Sequence, residues 1–293
     1  MKKKNRLMQL VLNLIFIIMY ALIIIPFVML VSVSLSNERD IAAYGYSILP
    51  KQLDLSAYRY VFKNPRSIIN AYKVTAIFSV VGTFLSVLLM AMVAYPLSKR
   101  NMRFKRGISL YIYFTMLFSG GLVPSYILMT RYLHLNDTIW IYILPGMISP
   151  WYVFMMRTFF QDIPGEISES MLVDGADEYT IFFRMIIPLS KPVLATVALL
   201  VFLAKWNDWY TAMLYINDDS LISLQYLLQR IMQNIQLLQN NSMMADTMLS
   251  ASEIPSETVR MAMAIVVAGP ALVIFPFFQK YFVKGLTVGS VKG

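Results

Sequence analysis

Apolar positions in this chain fall in long unbroken runs parted by polar stretches. A helix rises about 1.5 Å per residue, so about 20 apolar residues cross a hydrocarbon core of about 30 Å. Six runs reach that length, at about 8–33, 71–97, 108–130, 138–160, 191–215 and 258–283. The stretch 35–70 is polar and carries the turn formers Leu49-Pro50 and Asn64-Pro65. Residues 98–107 form a short basic loop, 162–188 an amphipathic charged segment, and 217–257 a long polar loop rich in Gln, Asn and Asp. The pattern predicts an all-α polytopic membrane protein: one transmembrane domain over 1–293 with about six transmembrane helices.

Composition agrees. The 293 residues are 58% hydrophobic and 14% charged, against roughly 25% charged in a soluble domain. A net charge of +9 would suggest nucleic acid in a soluble protein. Here the positive residues cluster beside apolar runs, so the positive-inside rule accounts for them and no nucleic-acid partner is expected. Lys2, Lys3, Lys4 and Arg6 precede the first run, and Lys99, Arg100, Arg103, Lys105 and Arg106 crowd the loop after the second. This places both termini and 98–107 in the cytoplasm, with 35–70 and 217–257 outside. Ser32-Val33-Ser34 weakly resembles a cleavage site, but the first run exceeds the roughly 7–15 apolar residues of a signal peptide and reads as a retained anchor. Cysteine is absent and His134 is the single histidine. Disulfides, thiolate chemistry and Cys- or His-built metal sites are therefore excluded.

Three runs carry residues that sit poorly in a plain span. The third contains Gly120, Gly121 and Pro124, and the fourth Pro145 and Pro150. Proline removes a backbone donor and clashes with the turn before it, and broken backbone persists at membrane depth only where protein or a wet cavity satisfies it. Two readings stay open for these positions, helix packing and lining of a pathway. In the fifth run Lys205 lies about 20 Å along the helix from Pro192, past the midplane. Burying lysine there costs about 2.5–3.5 kcal/mol, which an intrahelical pair with Asp208 would offset. Trp206 and Asn207 add a stacking face and an amide, so Lys205, Trp206, Asn207 and Asp208, with Gly120 and Gly121, are candidate substrate-pathway residues. Against this, Trp209 and Tyr210 also fit an outer aromatic belt, and a lysine can snorkel.

The segment Glu169-Ser170-Met171-Leu172-Val173-Asp174-Gly175-Ala176, continuing to Met185-Ile186-Ile187-Pro188, reads as a helix ending near Asp174, a glycine turn, and a second amphipathic helix that Pro188 stops. Pro192 would open the next span. The segment is too polar to cross a membrane, and a rigid helical hairpin between two spans is suited to passing force from a soluble partner. It resembles the EAA loop of ATP-binding-cassette importer permeases, in which E-A-A, three residues, G, nine residues and I-x-L-P follow in order. Glu169, Gly175 and Met185-x-Ile187-Pro188 keep that spacing. Ser170 and Met171 replace the alanines, Met185 the isoleucine and Ile187 the leucine. An ordinary interfacial helix pair is the plain alternative.

The resemblance extends over nearly the whole chain. Asp174-Gly175-Ala176, Pro188-Leu189-Ser190-Lys191-Pro192, Trp206-Asn207-Asp208-Trp209 and the stretch from Gln279 to Gly293 are similar to the carbohydrate-uptake, maltose-type branch. Phe118-Ser119-Gly120-Gly121-Leu122-Val123-Pro124 and Leu224-Gln225-Tyr226-Leu227-Leu228 are similar to permeases for complex oligosaccharides and polysaccharide fragments. The resemblance implies a type I importer fold in the cytoplasmic membrane and ATPase coupling through Glu169, Asp174, Gly175, Ala176 and Pro188. It implies as partners a second homologous permease, two ATPase subunits that hold ATP and Mg, an extracytoplasmic solute-binding protein and an oligosaccharide. This chain itself would hold no cofactor and catalyse nothing. It carries no G-x-x-x-x-G-K-[ST] phosphate loop, no H-E-x-x-H and no G-x-S-x-G. A peptide, polyamine or anion is the alternative cargo. A secondary transporter is the alternative class, but it would show inverted repeats or coupling carboxylates within spans.

Overall fold

A computed structural model describes residues 2–244 and 256–290. Among these residues the chain is helical and forms no strand, apart from one isolated bridge between Ser36 and Leu53. The helices are α1 Lys2–Ser34, α2 Glu38–Tyr44, α3 Ser56–Val61, α4 Pro65–Ser98, α5 Lys105–Leu117, α6 Leu122–Ile127, α7 Trp140–Ile143, α8 Pro150–Gln161, α9 Gly165–Val173, α10 Glu178–Ile181, α11 Ile187–Leu189, α12 Lys191–Trp206, α13 Tyr210–Tyr215, α14 Leu224–Met244 and α15 Glu257–Ser290. π-helical turns at Leu128–Tyr132 and Phe182–Ile186 extend α6 and join α10 to α11.

Contacts cluster in two compact units, Met1–Ile68 with Leu228–Pro270, and Ile69–Leu227 with Ala271–Gly293. In the first, α1 is apolar around its circumference from Met8 onward and exposed over 8–28, as a helix solvated by lipid is. Its end is tied down by polar bonds: Asn37 donates to Asp54 (2.9 Å), and the Asp54 carboxylate also accepts from the Ser56 amide. Glu38 accepts from the amides of Glu257 (2.9 Å) and Thr258 (3.0 Å) and from the Thr258 hydroxyl. A carboxylate on the free N–H groups of a helix start also meets the positive end of its dipole, so Glu38 anchors the beginning of α15.

The second unit contains the core. Met90, Ala94 and Leu97 of α4, Val153, Met156 and Phe160 of α8, Ile181 to Ile186 around the π turn, and Val193, Val197 and Val201 of α12 pack together. A second cluster joins Phe78 to the buried face of α7 and to Ala212 and Ile216, with the Phe78 and Tyr142 rings stacked at 4.3 Å.

Among the described residues three helices are long and apolar enough to cross a membrane, α1, α4 and the first part of α15, or up to five if each of two bent pairs is one span. The runs at 8–33, 71–97 and 258–283 are continuous helices; the other three are not. The third turns by 110° between α5 and α6, at Gly121, whose φ is +84°. The fourth separates into α7 and α8 around Pro145 and Gly146. The fifth breaks at Asn207–Trp209. There the Asn207 amide bonds the Leu203 carbonyl and the Asp208 carboxylate accepts from the Thr211 amide. Short polar side chains compete with the helix for its own backbone in this way. The region expected to be a polar loop at 217–257 instead carries α14. Its apolar residues Leu224, Leu227, Leu228, Ile231 and Ile235 recur at helical spacing, and that period outweighs the polar composition.

Candidate functional site

The hairpin grows from local rules. Helix α9 ends at Asp174, and Gly175 follows in the left-handed region at φ +84°. The Gly175 amide donates to the Leu172 carbonyl (3.0 Å) and the Ala176 amide to the Met171 carbonyl (2.9 Å). These two bonds make a Schellman motif, which only a residue free to adopt positive φ closes without strain. Asp177 then caps the next helix by accepting from the Thr180 amide at 2.9 Å. Its carboxyl is held below the usual range, first by the hydrogen bonds with Thr180.

The second arm does not stop at Pro188. That residue lies in α11, and the chain turns at Ser190, where the arm and α12 meet at 79°. The preceding turn is π-helical, with the Ile187 amide reaching the Phe182 carbonyl. A wider turn gives the proline ring room where an α-helical carbonyl would clash.

The two arms differ in burial. Ile181, Phe182, Met185 and Ile186 are core residues, whereas α9 buries none of its own. Met171 and Ala176 pack against the core at the hairpin's base, leaving Glu166, Ile167, Glu169, Leu172 and Val173 exposed. Burying a Leu, Val or Ile side chain is worth about 1.5–3 kcal/mol, so Ile167, Leu172 and Val173 beside two carboxylates suit a protein partner.

Glu178 is a residue that sequence reasoning missed. Its carboxylate accepts from the Tyr95 hydroxyl (2.8 Å) and pairs with Lys99, fastening α10 to the end of α4. The bond from Lys99 holds the Glu178 carboxyl below the ordinary glutamate range, with the Tyr95 bond adding to the effect. Nothing local marks this contact, because its partners lie 79 and 83 residues away.

The candidate pathway residues separate. Lys205 and Asp208 line a cavity of about 230 Å³ together with Tyr142, Ser149, Tyr152 and Thr211. The Lys205 ammonium donates to the Tyr142 carbonyl at 2.8 Å. That carbonyl is free because α7 ends just before Pro145 and Gly146, so it has no partner one turn on. A hydrogen bond from a charged donor contributes about 1.5–3 kcal/mol, comparable to the cost of burying the lysine. The intrahelical pair with Asp208 does not form, because α12 ends at Trp206. Gly82 of α4 makes room for the lysine: a Cβ there would lie 2.8 Å from Lys205 Cε. Neither Tyr142 nor Gly82 carries a sequence signal for this role.

Trp206 points away from the cavity lining. It is buried, with its ring against Phe202 at 5.7 Å and Tyr72 at 6.4 Å, and acts as packing. Asn207 is exposed and accepts from the Gln225 amide at 2.9 Å. Gly120 and Gly121 form the exposed corner between α5 and α6 and do not line the cavity. At about 230 Å³ the cavity is smaller than typical ligand pockets of roughly 300–1,000 Å³, so this conformation does not enclose an oligosaccharide.

Residues 72–288 match the family described as binding-protein-dependent transport system inner membrane component. The chain is 38% identical over 273 residues to protein LplC of Bacillus subtilis, covering 93% of this chain and 90% of that protein. It is 36% identical to the polygalacturonan/rhamnogalacturonan transport system permease protein YtcP of the same organism, over 99% and 100% of the two chains. Among solved structures, a bacterial ABC transporter involved in the import of the acidic polysaccharide alginate superposes with a TM-score of 0.80. Identity there is 29%, with 95% of this chain and 98% of that chain covered.

Proposed function

We propose that this chain, which belongs to the family of binding-protein-dependent transport system inner membrane components, is a pore-forming subunit through which an ATP-driven importer passes an oligosaccharide across the cytoplasmic membrane. The observation that carries the reading is the hairpin: one arm built into the core of α4, α8 and α12, the other exposed at Glu169, Leu172 and Val173. An ATPase subunit grips the exposed arm, and the buried arm passes the displacement to α12 and its cavity. Interiors are close-packed and transmit such a push instead of absorbing it.

On this reading Glu169, Asp174, Gly175, Ala176 and Pro188 are the coupling residues. A second homologous permease completes the pore, two ATPase subunits bind ATP and Mg, and an extracytoplasmic binding protein delivers the solute. The chain is not itself catalytic. Both termini, 98–107 and 162–188 face the cytoplasm. The glycan-transporting relatives support an oligosaccharide as cargo. Lys205 and Asp208 are the pathway residues retained. The cavity holds one cation and one carboxylate, so its charge does not favour an anionic cargo over a neutral one.

Reversing the charge at Glu169 tests the coupling role. Glu169→Lys removes a charge-assisted contact worth about 1.5–3 kcal/mol, so the ATPase should be lost on co-purification and labelled oligosaccharide uptake should fall, with the partner permease retained. A variant that keeps its ATPase and transports like wild type would show that the exposed arm is not the coupling element.

A further inference from the structure

Folding brings Arg157, distant in sequence, to the foot of α5 beside the basic loop that carries Arg100 and Lys105. Arg100 follows α4, Lys105 begins α5 and Arg157 belongs to α8. The Lys105 ammonium donates to the Lys99 carbonyl at 2.8 Å, and the Arg157 guanidinium donates to the Ser109 hydroxyl of α5 at 3.1 Å. Both acceptors are neutral, and among the described residues no carboxylate pairs with Arg100, Lys105 or Arg157. Desolvation, followed by the nearness of Arg157 and Arg100, presses the Lys105 ammonium below the usual lysine range. Like charges held together without a counter-charge are unfavourable unless an anion joins them.

The surroundings say which kind of anion. The cluster sits at the foot of α5, which buries none of its residues. Leu110, Tyr111, Phe114 and Leu117 are all exposed along it. Phe104 stands exposed at its start, in the left-handed region at φ 61°, with the Arg103 guanidinium 5.3 Å from its ring centre. Cations and an aromatic ring at the end of an uncovered apolar helix are the composition of a headgroup layer above acyl chains. A docking surface for an acidic protein would not need an apolar stripe running away from it. We infer that Arg100, Lys105 and Arg157 form a binding site for the phosphate headgroup of an anionic phospholipid whose acyl chains lie along α5. Its assignment to the cytoplasmic leaflet rests on the topology proposed above.

The test uses the full-length chain in detergent with equal phosphatidylglycerol and phosphatidylcholine, and reads retained lipid by native mass spectrometry. Wild type should retain phosphatidylglycerol preferentially. A cation near an anionic surface contributes about fivefold before screening, so R100Q/K105Q/R157Q together should cut the preference by roughly tenfold or more. Lys51→Gln with Lys63→Gln should leave it unchanged, and circular dichroism should report the same helix content in all three. Equal retention of both lipids by wild type, or an undiminished preference in the triple variant, overturns the inference. Displacement of the lipid by millimolar inorganic phosphate would assign the site to a free anion, and its disappearance on adding the ATPase would assign it to a protein partner. Either result also overturns it. Labelling of a cysteine at position 103 from outside intact cells would reverse the leaflet and the topology while leaving the lipid result standing, so the two failures are distinguishable.

Discussion

Gly175 allows the hairpin to be perturbed without touching any packed surface. Its φ is +84°, and a Cβ built there meets nothing within 4 Å. Any cost of substitution is therefore conformational. An L-residue in the left-handed region costs about 1–2 kcal/mol, and a β-branched one sits at the upper end. If the backbone abandons the turn instead, the bonds from Gly175 to Leu172 and from Ala176 to Met171 are lost, at about 1 kcal/mol each. Both routes put Gly175→Val near 2 kcal/mol, which reduces the docking-competent hairpin by more than tenfold, since about 1.4 kcal/mol is tenfold. Gly175→Ala should be intermediate. Gly175→Asn should be close to wild type, because asparagine visits this region readily. The assay is co-purification of the ATPase with each variant, together with uptake of a labelled oligosaccharide. The second arm is held by Ile181, Phe182, Met185 and Ile186, so membrane insertion and partner-permease binding should be equal across the series. If valine and asparagine behave alike, the left-handed turn is not what coupling depends on.

Four further outcomes are expected. Gly82→Ala brings a methyl to 2.8 Å from Lys205 Cε and Lys205→Met leaves the Tyr142 carbonyl unpaired, so each should lower uptake without preventing assembly. Their double mutant should be less impaired than the sum, and full additivity in transport assays would show that the two do not share a site. Glu178→Gln should loosen α10 from α4, increasing proteolysis within 165–178 in permeabilised vesicles. Because the Glu178 carboxyl is held below the ordinary glutamate value, its contribution is present at neutral pH. It is lost as pH falls through that depressed value; wild type should show this acid-induced opening and Glu178→Gln should not. Cysteines introduced at Arg103 and Asn240 should label from outside intact cells only at 240, and the opposite pattern would invert the topology. The purified chain alone should hydrolyse no ATP, and turnover at rates typical of such importers would defeat the assignment of ATPase activity to a partner subunit.

Much of this protein is legible from its residues alone. Long apolar runs announce helices solvated by lipid, because the cost of unpaired backbone in hydrocarbon permits little else. The turn at Gly175 is equally local: Asp174 closes one helix, glycine adopts the left-handed region and Asp177 caps the next, all within a few residues. The register of Glu169, Gly175 and Pro188 is therefore written in the chain itself. Gly120-Gly121, Pro145 and Pro150 mark breaks in the same way, since glycine and proline act on their own backbone.

What the residues do not disclose lies in contacts between distant segments and in competition between local rules. Pro188 reads as a stop, yet a π-helical turn absorbs it and the arm runs on to Leu189. Trp206 and Lys205 are neighbours in sequence, yet one packs on Phe202 and the other enters a cavity. That division depends on where α12 ends and on what faces it. By residue count Asp208 falls one helical turn from Lys205, but Asn207 and Asp208 spend their side chains on nearby backbone groups and end the helix first. The lysine's actual partner is a carbonyl 63 residues away, and its space comes from the missing side chain of Gly82. Periodicity and turn chemistry act within a few residues, so a single stretch of chain carries them. Which carbonyl a buried ammonium meets, and which arm of a hairpin stays bare for a partner, depend on non-local packing that exists only once the helices have come together.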